Sequence, residues 1–165
     1  MKGTGRRALG VVNRHPLVKV DRRSVAAAVA ALDLHASEFP SGCPAGELSV
    51  AFLTDDALAA LHGRFLGDPS ATDVITFGGD GAHSVAGEIC VSVDAAVRHA
   101  RKDAARLSGE ITLYLVHGWL HLAGFDDRGA ADRRRMRSAE SRAMRILSQS
   151  GAVLRFKLAN ARSLR

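Results

Sequence analysis

Residues 117–127 read His117-Gly118-Trp119-Leu120-His121-Leu122-Ala123-Gly124-Phe125-Asp126-Asp127. Two histidines stand four apart in an apolar run, and a glycine and two carboxylates follow. On a helix, positions i and i+4 share a face with Cβ atoms about 5–6 Å apart, so two imidazoles can point at one cation. Gly124 can end such a helix in the left-handed conformation and turn the chain back, which lets a third ligand close the triangle. Three protein ligands with an open position characterise catalytic rather than structural zinc. The stretch thus predicts a metal site on a helix and its following turn, in a metal-dependent enzyme. A His-x-x-x-His pair alone is weak evidence, since paired helix histidines are often hydrogen-bonded interior side chains. The Gly-x-Asp-Asp continuation strengthens it by adding the turn and an oxygen ligand. Protease chemistry is disfavoured. Helical zinc proteases carry a glutamate as general base directly after the first histidine, and Gly118 in that slot transfers no proton.

A chain of 165 residues with 47% hydrophobic content fits one globular domain with a sizeable core. No apolar run approaches the ~20 residues that span a bilayer. The basic N-terminus is followed by no signal-peptide core, so export is not expected. Cys43 and Cys90 lie far apart without Cys-x-x-Cys spacing, as suits reduced thiols in a cytoplasm. The formal net charge of +6 is unevenly placed: residues 128–165 hold eleven Lys and Arg against Asp132 and Glu140. That asymmetry points to a polyanion, with nucleic acid the leading class, although a charge run is also what a plain solvated helix face looks like. Aromatic residues make up only 5% of the chain, so an extended base-stacking platform is not expected and RNA contacts should fall mainly on phosphates.

Hydrophobic periodicity and capping residues set the element order. Leu9–Asn13 reads as a strand, and Asp21 caps a helix over Arg22–Leu32. After a loop at 40–46, Glu47–Leu53 alternates as a strand, and Thr54 caps a helix over Asp55–Gly63. Val74–Phe77 and Ala86–Ser92 are β-rich. Ser92 or Asp94 starts a helix to about Leu107, Ser108-Gly109 breaks it, and Glu110–Ala123 carries the histidines. Leu113, Val116 and Leu120 form its inward side, and Trp119 packs on another face. A basic helix covers Ala131–Gln149. This order predicts a small mixed β-sheet packed with about five helices, one domain over residues 1–150, and a loosely ordered or basic extension over 151–165.

Further stretches accompany 117–127. They are Thr72-Asp73-Val74-Ile75-Thr76-Phe77, Gly87-Glu88-Ile89-Cys90-Val91-Ser92 and Met136-Arg137-Ser138-Ala139-Glu140. Together they resemble the YbeY family of bacterial rRNA-maturation endoribonucleases. That family's signature, His-Gly-x-Leu-His-Leu-x-Gly-Tyr/Phe-Asp-His, agrees with residues 117–127 at ten of eleven positions, counting the two wildcards. Its Thr-Asp-Val-Leu-Ser-Phe and Gly-Asp-Ile-x-Ile-Ser strands and its Met-x-x-x-Glu helix match the other three. Order and spacing hold from about residue 9 to residue 148. The resemblance implies an α+β, zincin-like fold and a cytoplasmic, zinc-dependent, single-strand-specific endoribonuclease. It also implies action in 16S rRNA 3′-end maturation and ribosome quality control. The partners would be single-stranded rRNA and the small ribosomal subunit, with neither membrane nor nucleotide cofactor. One Zn2+ would be held by His117, His121 and Asp127, with His117 and His121 central to catalysis.

Two positions depart from the pattern. The last signature histidine is Asp127 here. A carboxylate binds zinc at about 2.0–2.2 Å, so the site is preserved with less net charge and more tolerance of hard metals. Asp126 then orients a ligand or caps the turn. Leu66 stands where many relatives carry an arginine thought to hold phosphate, and Arg64 lies two positions earlier on a different helix face. Zinc at this site would lower the pKa of a water towards about 7, or polarise a phosphoryl oxygen for attack by a ribose 2′-OH. No general base stands out; Asp126 and Glu88 are the options, and Glu88 reads equally as a solvent-facing strand residue. Arg133, Arg134, Arg135 and Arg137 either steer RNA or form plain surface. His15, His35, His62, His83 and His99 lack ligand spacing. The rival from another class is a non-catalytic ribosome-assembly factor with a structural metal. A hydrolase acting on a small substrate has only generic zinc logic behind it.

Overall fold

A computed structural model describes residues 7–68, 72–101 and 103–158. Strand β1 (Leu9–Asn13) leads through a short β2 (Val18–Val20) into helix α1 (Arg22–Leu34). Asp21 caps α1 as its sequence predicts, its side chain accepting from the amides of Arg23 and Ser24. Strand β3 (Glu47–Leu53) and helix α2 (Asp55–Leu66) follow, with Thr54 capping the latter. Next come β4 (Val74–Gly78), β5 (Val85–Ser92) and α3 (Val93–His99). The long helices α4 (Ala104–Leu122) and α5 (Ala130–Gln149) and a strand β6 (Phe156–Leu158) complete the described residues. The result is a mixed α+β architecture with five α-helices among the described residues, as the element order implies.

The main sheet runs β1-β3-β5-β4. β1, β3 and β5 are parallel, and β4 is antiparallel to β5, so β4 forms one edge of the sheet. Period-two alternation splits the strand side chains between two layers. Leu48, Val50, Phe52, Ile89 and Val91 join α1, α4 and α5 in the principal core, which includes Trp119 with no exposure. Ala51, Leu53, Ile75 and Cys90 face the other way, against Leu58 of α2. The ligand-bearing helix therefore lies over the β5–β4 side of the sheet.

Two expectations change. The helix break falls at Ala100–Asp103 rather than at Ser108-Gly109. Arg101 adopts φ +50, and Asp103 caps α4 through the amides of Ala105 and Arg106. A glycine inside a helix costs about 1 kcal/mol, and the burial of Leu107 and Ile111 on either side outweighs it. Of the two readings of 151–165, loose order or a basic extension, loose order does not describe 152–158. Ala152 and Leu154 are buried, and β6 pairs antiparallel with β2, placing Phe156 edge-to-face on Phe52. Residues 159–165 lie outside the described residues. Among the described residues, no helix is long and apolar enough to cross a membrane.

Candidate metal centre

His117 and His121 leave the last two turns of α4 on one face, with their rings edge-to-face at 4.5 Å between centroids. The helix then ends in a Schellman turn. The Phe125 amide donates to the Leu120 carbonyl and the Gly124 amide to the His121 carbonyl, both at 3.0 Å, with Gly124 at φ +98. That left-handed glycine reverses the chain and swings Asp127 back over the histidines. The Asp126 carboxylate accepts from the amides of Asp127 and Arg128, which pulls its pKa below the usual carboxylate range. Asp126 therefore caps the turn.

Each imidazole is held by its Nδ1. His117 Nδ1 lies 2.6 Å from Glu140 Oε1, and His121 Nδ1 lies 3.0 Å from the Phe125 carbonyl. Carboxylate and carbonyl oxygens only accept, so each Nδ1 is the donor, and in the neutral imidazole each Nε2 then presents a bare lone pair. Those Nε2 atoms are 2.9 Å apart, and Asp127 Oδ2 lies 3.5 Å from one and 3.7 Å from the other. Three lone pairs converging this closely repel one another unless a cation sits among them. His117, His121 and Asp127 accordingly form a group that can hold a metal ion, partly exposed on one side. The donor set, two imidazoles and a carboxylate, suits zinc and also harder divalent ions.

Glu140 is the site residue whose role the sequence does not reveal. It belongs to the Met136-x-x-x-Glu140 match, but its partner is 23 residues away and on another helix. Only the packing of α5 on α4 makes it the carboxylate that orients the His117 ring. Gly118 has a structural reason. A Cβ there would meet Ile89 Cγ2 of β5 at 2.5 Å, so no side chain fits where zinc proteases hold their glutamate. Glu88, beside Ile89, points to the opposite face of the sheet and is exposed, away from the histidines. Arg133 donates to the Arg128 carbonyl at 2.9 Å and reaches the Asp127 carbonyl at 3.5 Å, bracing the ligand loop. Arg134 and Arg137 are exposed, and Arg135 pairs with Asp132 at 2.7 Å. Of the remaining histidines, His15 pairs with Asp94, His83 with Asp80 and His99 with Tyr114, while His35 caps α1.

His121 also lines a groove of about 580 Å³ that crosses the free edge of β4 and is bounded by His62 and Leu66 of α2. Leu66 is exposed, and the Arg64 guanidinium lies 5.4 Å from the centre of the Phe65 ring. The Thr76 hydroxyl, between β4 and α4, is buried with no hydrogen-bond partner among the described residues.

Comparison with known proteins places this geometry in a family. A family model described as Endoribonuclease YbeY matches residues 12–148. The chain is 39% identical to Endoribonuclease YbeY of Chlamydia abortus over 116 residues, which is 66% of this chain and 73% of that one. It is 38% identical to the protein of the same name from Anaeromyxobacter dehalogenans over 66% of this chain and 58% of that longer one. The relative from Chlamydia muridarum is 41% identical over 66% of this chain and 71% of its own. The solution structure of TM1509 from Thermotoga maritima aligns with a TM-score of 0.54 at 18% identity, covering 86% of this chain and 90% of that one, and agrees in fold. From residue 12 to residue 148, this chain belongs to the YbeY family of endoribonucleases.

Proposed function

We propose that this chain is a cytoplasmic, zinc-dependent endoribonuclease specific for single strands, with a zincin-like site. In this reading it acts on rRNA of the small ribosomal subunit, in 16S 3′-end maturation and ribosome quality control. The observation that carries the reading is the convergence of His117 Nε2, His121 Nε2 and Asp127 Oδ2 beside an open groove. Zinc bound there supplies Lewis acidity, activating water or polarising a phosphoryl oxygen. The chain's own residues do the rest. Glu140 and the Phe125 carbonyl hold both Nδ1 protons, so the ligand nitrogens stay fixed during phosphate binding. Arg133 braces the loop that carries Asp127. The groove beside His121 gives a single strand a way in.

The rival reading, an assembly factor with a structural metal, draws on Leu66, an apolar side chain where the family pattern has an arginine thought to hold phosphate. One experiment separates the two. A single-stranded fragment of the 16S rRNA 3′ region is incubated with metal-replete protein, with chelated protein and with His121→Ala. Cleavage confined to the metal-replete wild type supports the nuclease. Equal background in all three, with stoichiometric metal in the wild type, supports the assembly factor.

A further inference from the structure

The groove that His121 lines has a second wall that the metal chemistry leaves unused. Where Leu66 ends α2, Phe65 stands 58% exposed, although aromatic rings are scarce in this chain. Its ring meets Phe77 of β4 edge-to-face at 5.5 Å between centroids, and the Arg64 guanidinium lies 5.4 Å from its centre. Phe77 is itself partly buried against the α2 layer, so the Phe65 ring is braced from beneath. A ring held in this way loses little rotamer freedom when a flat ligand stacks on it. Leu66 is 57% exposed, and with Phe65 it forms an apolar patch at the groove rim.

We propose that Phe65, braced by Phe77 and flanked by Arg64, is a stacking platform for one unpaired nucleobase of an RNA strand lying across the β4 edge. The inference rests on the endoribonuclease reading. Three features favour a nucleobase as the occupant. A base presents a π-face whatever its identity, and exposed aromatics on single-strand-binding proteins use that face. Arg64 lies where it can meet a neighbouring phosphate while contributing cation–π attraction. Leu66, the neighbour of Phe65 in the patch, lines the groove that reaches His121, so a base seated on Phe65 directs its strand towards the candidate metal centre. A base inside a duplex has no free face, and the platform therefore selects unpaired RNA. It also gives the Leu66 position a role: an apolar rim for a base in place of a phosphate clamp.

The test uses a ten-nucleotide RNA with 2-aminopurine at its adenine positions, bound to the chelated full-length protein so that no cleavage intervenes. Cleavage by metal-replete protein is scored separately. Phe65→Leu keeps apolar bulk against Phe77 but lacks a π-face. It is expected to weaken binding roughly tenfold and to lose the fluorescence quenching of a stacked base, while Phe65→Tyr retains both. Wild-type binding and quenching in Phe65→Leu, with cleavage intact, would overturn the platform and leave the nuclease standing. Self-association of the wild type that Phe65→Leu abolishes would assign the patch to a second copy and overturn it equally. Absence of metal-dependent cleavage by the wild type would remove the endoribonuclease reading itself.

Discussion

Glu140 Oε1 accepts the Nδ1–H of His117 at 2.6 Å, so the packing of α5 on α4 sets the orientation of an imidazole in the group that can hold a metal. A carboxylate on the far nitrogen fixes the tautomer and makes the near nitrogen a better donor to a cation. Glu140→Gln keeps an acceptor but removes the charge, and is expected to weaken zinc binding about tenfold. Glu140→Ala, which leaves Nδ1 to solvent, should approach a hundredfold loss. Competition against a chelator of known affinity reads both values. Equal affinity in all three proteins would reduce Glu140 to a packing role.

Asp127 offers a sharper test of which metal the site prefers. Its Oδ2 stands within 3.7 Å of both ligand nitrogens, so Asp127→His brings a third imidazole to the same place. Three imidazoles favour borderline metals over hard ones. The variant should bind zinc at least as tightly as the wild type and lose a large part of its affinity for manganese, whereas Asp127→Ala should weaken both. Titration of each metal into the three chelated proteins decides the matter. A manganese affinity unchanged in Asp127→His would show that Asp127 is not a ligand.

The grouping of His117, His121 and Asp127 was legible in the sequence because it is local. His117, His121 and Asp127 fall within eleven residues, and helix periodicity followed by a glycine turn fixes their relation. Caps such as Asp21 and Thr54 were legible for the same reason, since each satisfies amides two or three residues on. Features that depend on distant partners were not. β2 and β6 are three-residue strands near opposite ends of the chain, and neither carries a signal without the other. Glu140 meets His117 only through helix packing. Ser108-Gly109 looked like a break because local propensity could not register the burial of Leu107 and Ile111, whereas Asp103 was the cap that sets the start of α4.

Gly118 marks the closest approach of α4 to the sheet. In an exposed helix, Gly→Ala gains about 1 kcal/mol of propensity. Here a Cβ would meet Ile89 Cγ2 at 2.5 Å and Cγ1 at 3.1 Å, in a core with no slack. Gly118→Ala is therefore expected to lower stability by about 1–3 kcal/mol, as overpacking does. Urea denaturation measures it. Pairing the change with Ile89→Ala should cost less than the sum of the two single changes, because each relieves the defect of the other. Simple additivity would mean that α4 lifts off β5 without penalty.

Asp55 carries the clearest acid-dependent contribution to the fold. At the N-terminus of α2 it accepts from Ser92 Oγ at 2.5 Å and pairs with Arg98, tying α2 to the end of β5 and to α3. Burial pushes its carboxyl up, but the hydrogen bonds from Arg98 and Ser92 together outweigh that, and the pKa lies below its ordinary 3.8. A folded-state pKa below the unfolded one means that the native protein favours the ionised form. The resulting stability is fully present above the unfolded value and is lost as pH falls through the folded value, below about pH 4. Asp55→Asn should therefore cost about 1–2 kcal/mol at pH 7, since the hydrogen bonds it weakens involve a charge. At a pH below the folded value the two proteins should converge. The comparison belongs in chelated protein, because protonation of metal ligands adds its own pH dependence. A difference of equal size at both pH values would show that Asp55 acts through shape and not through charge.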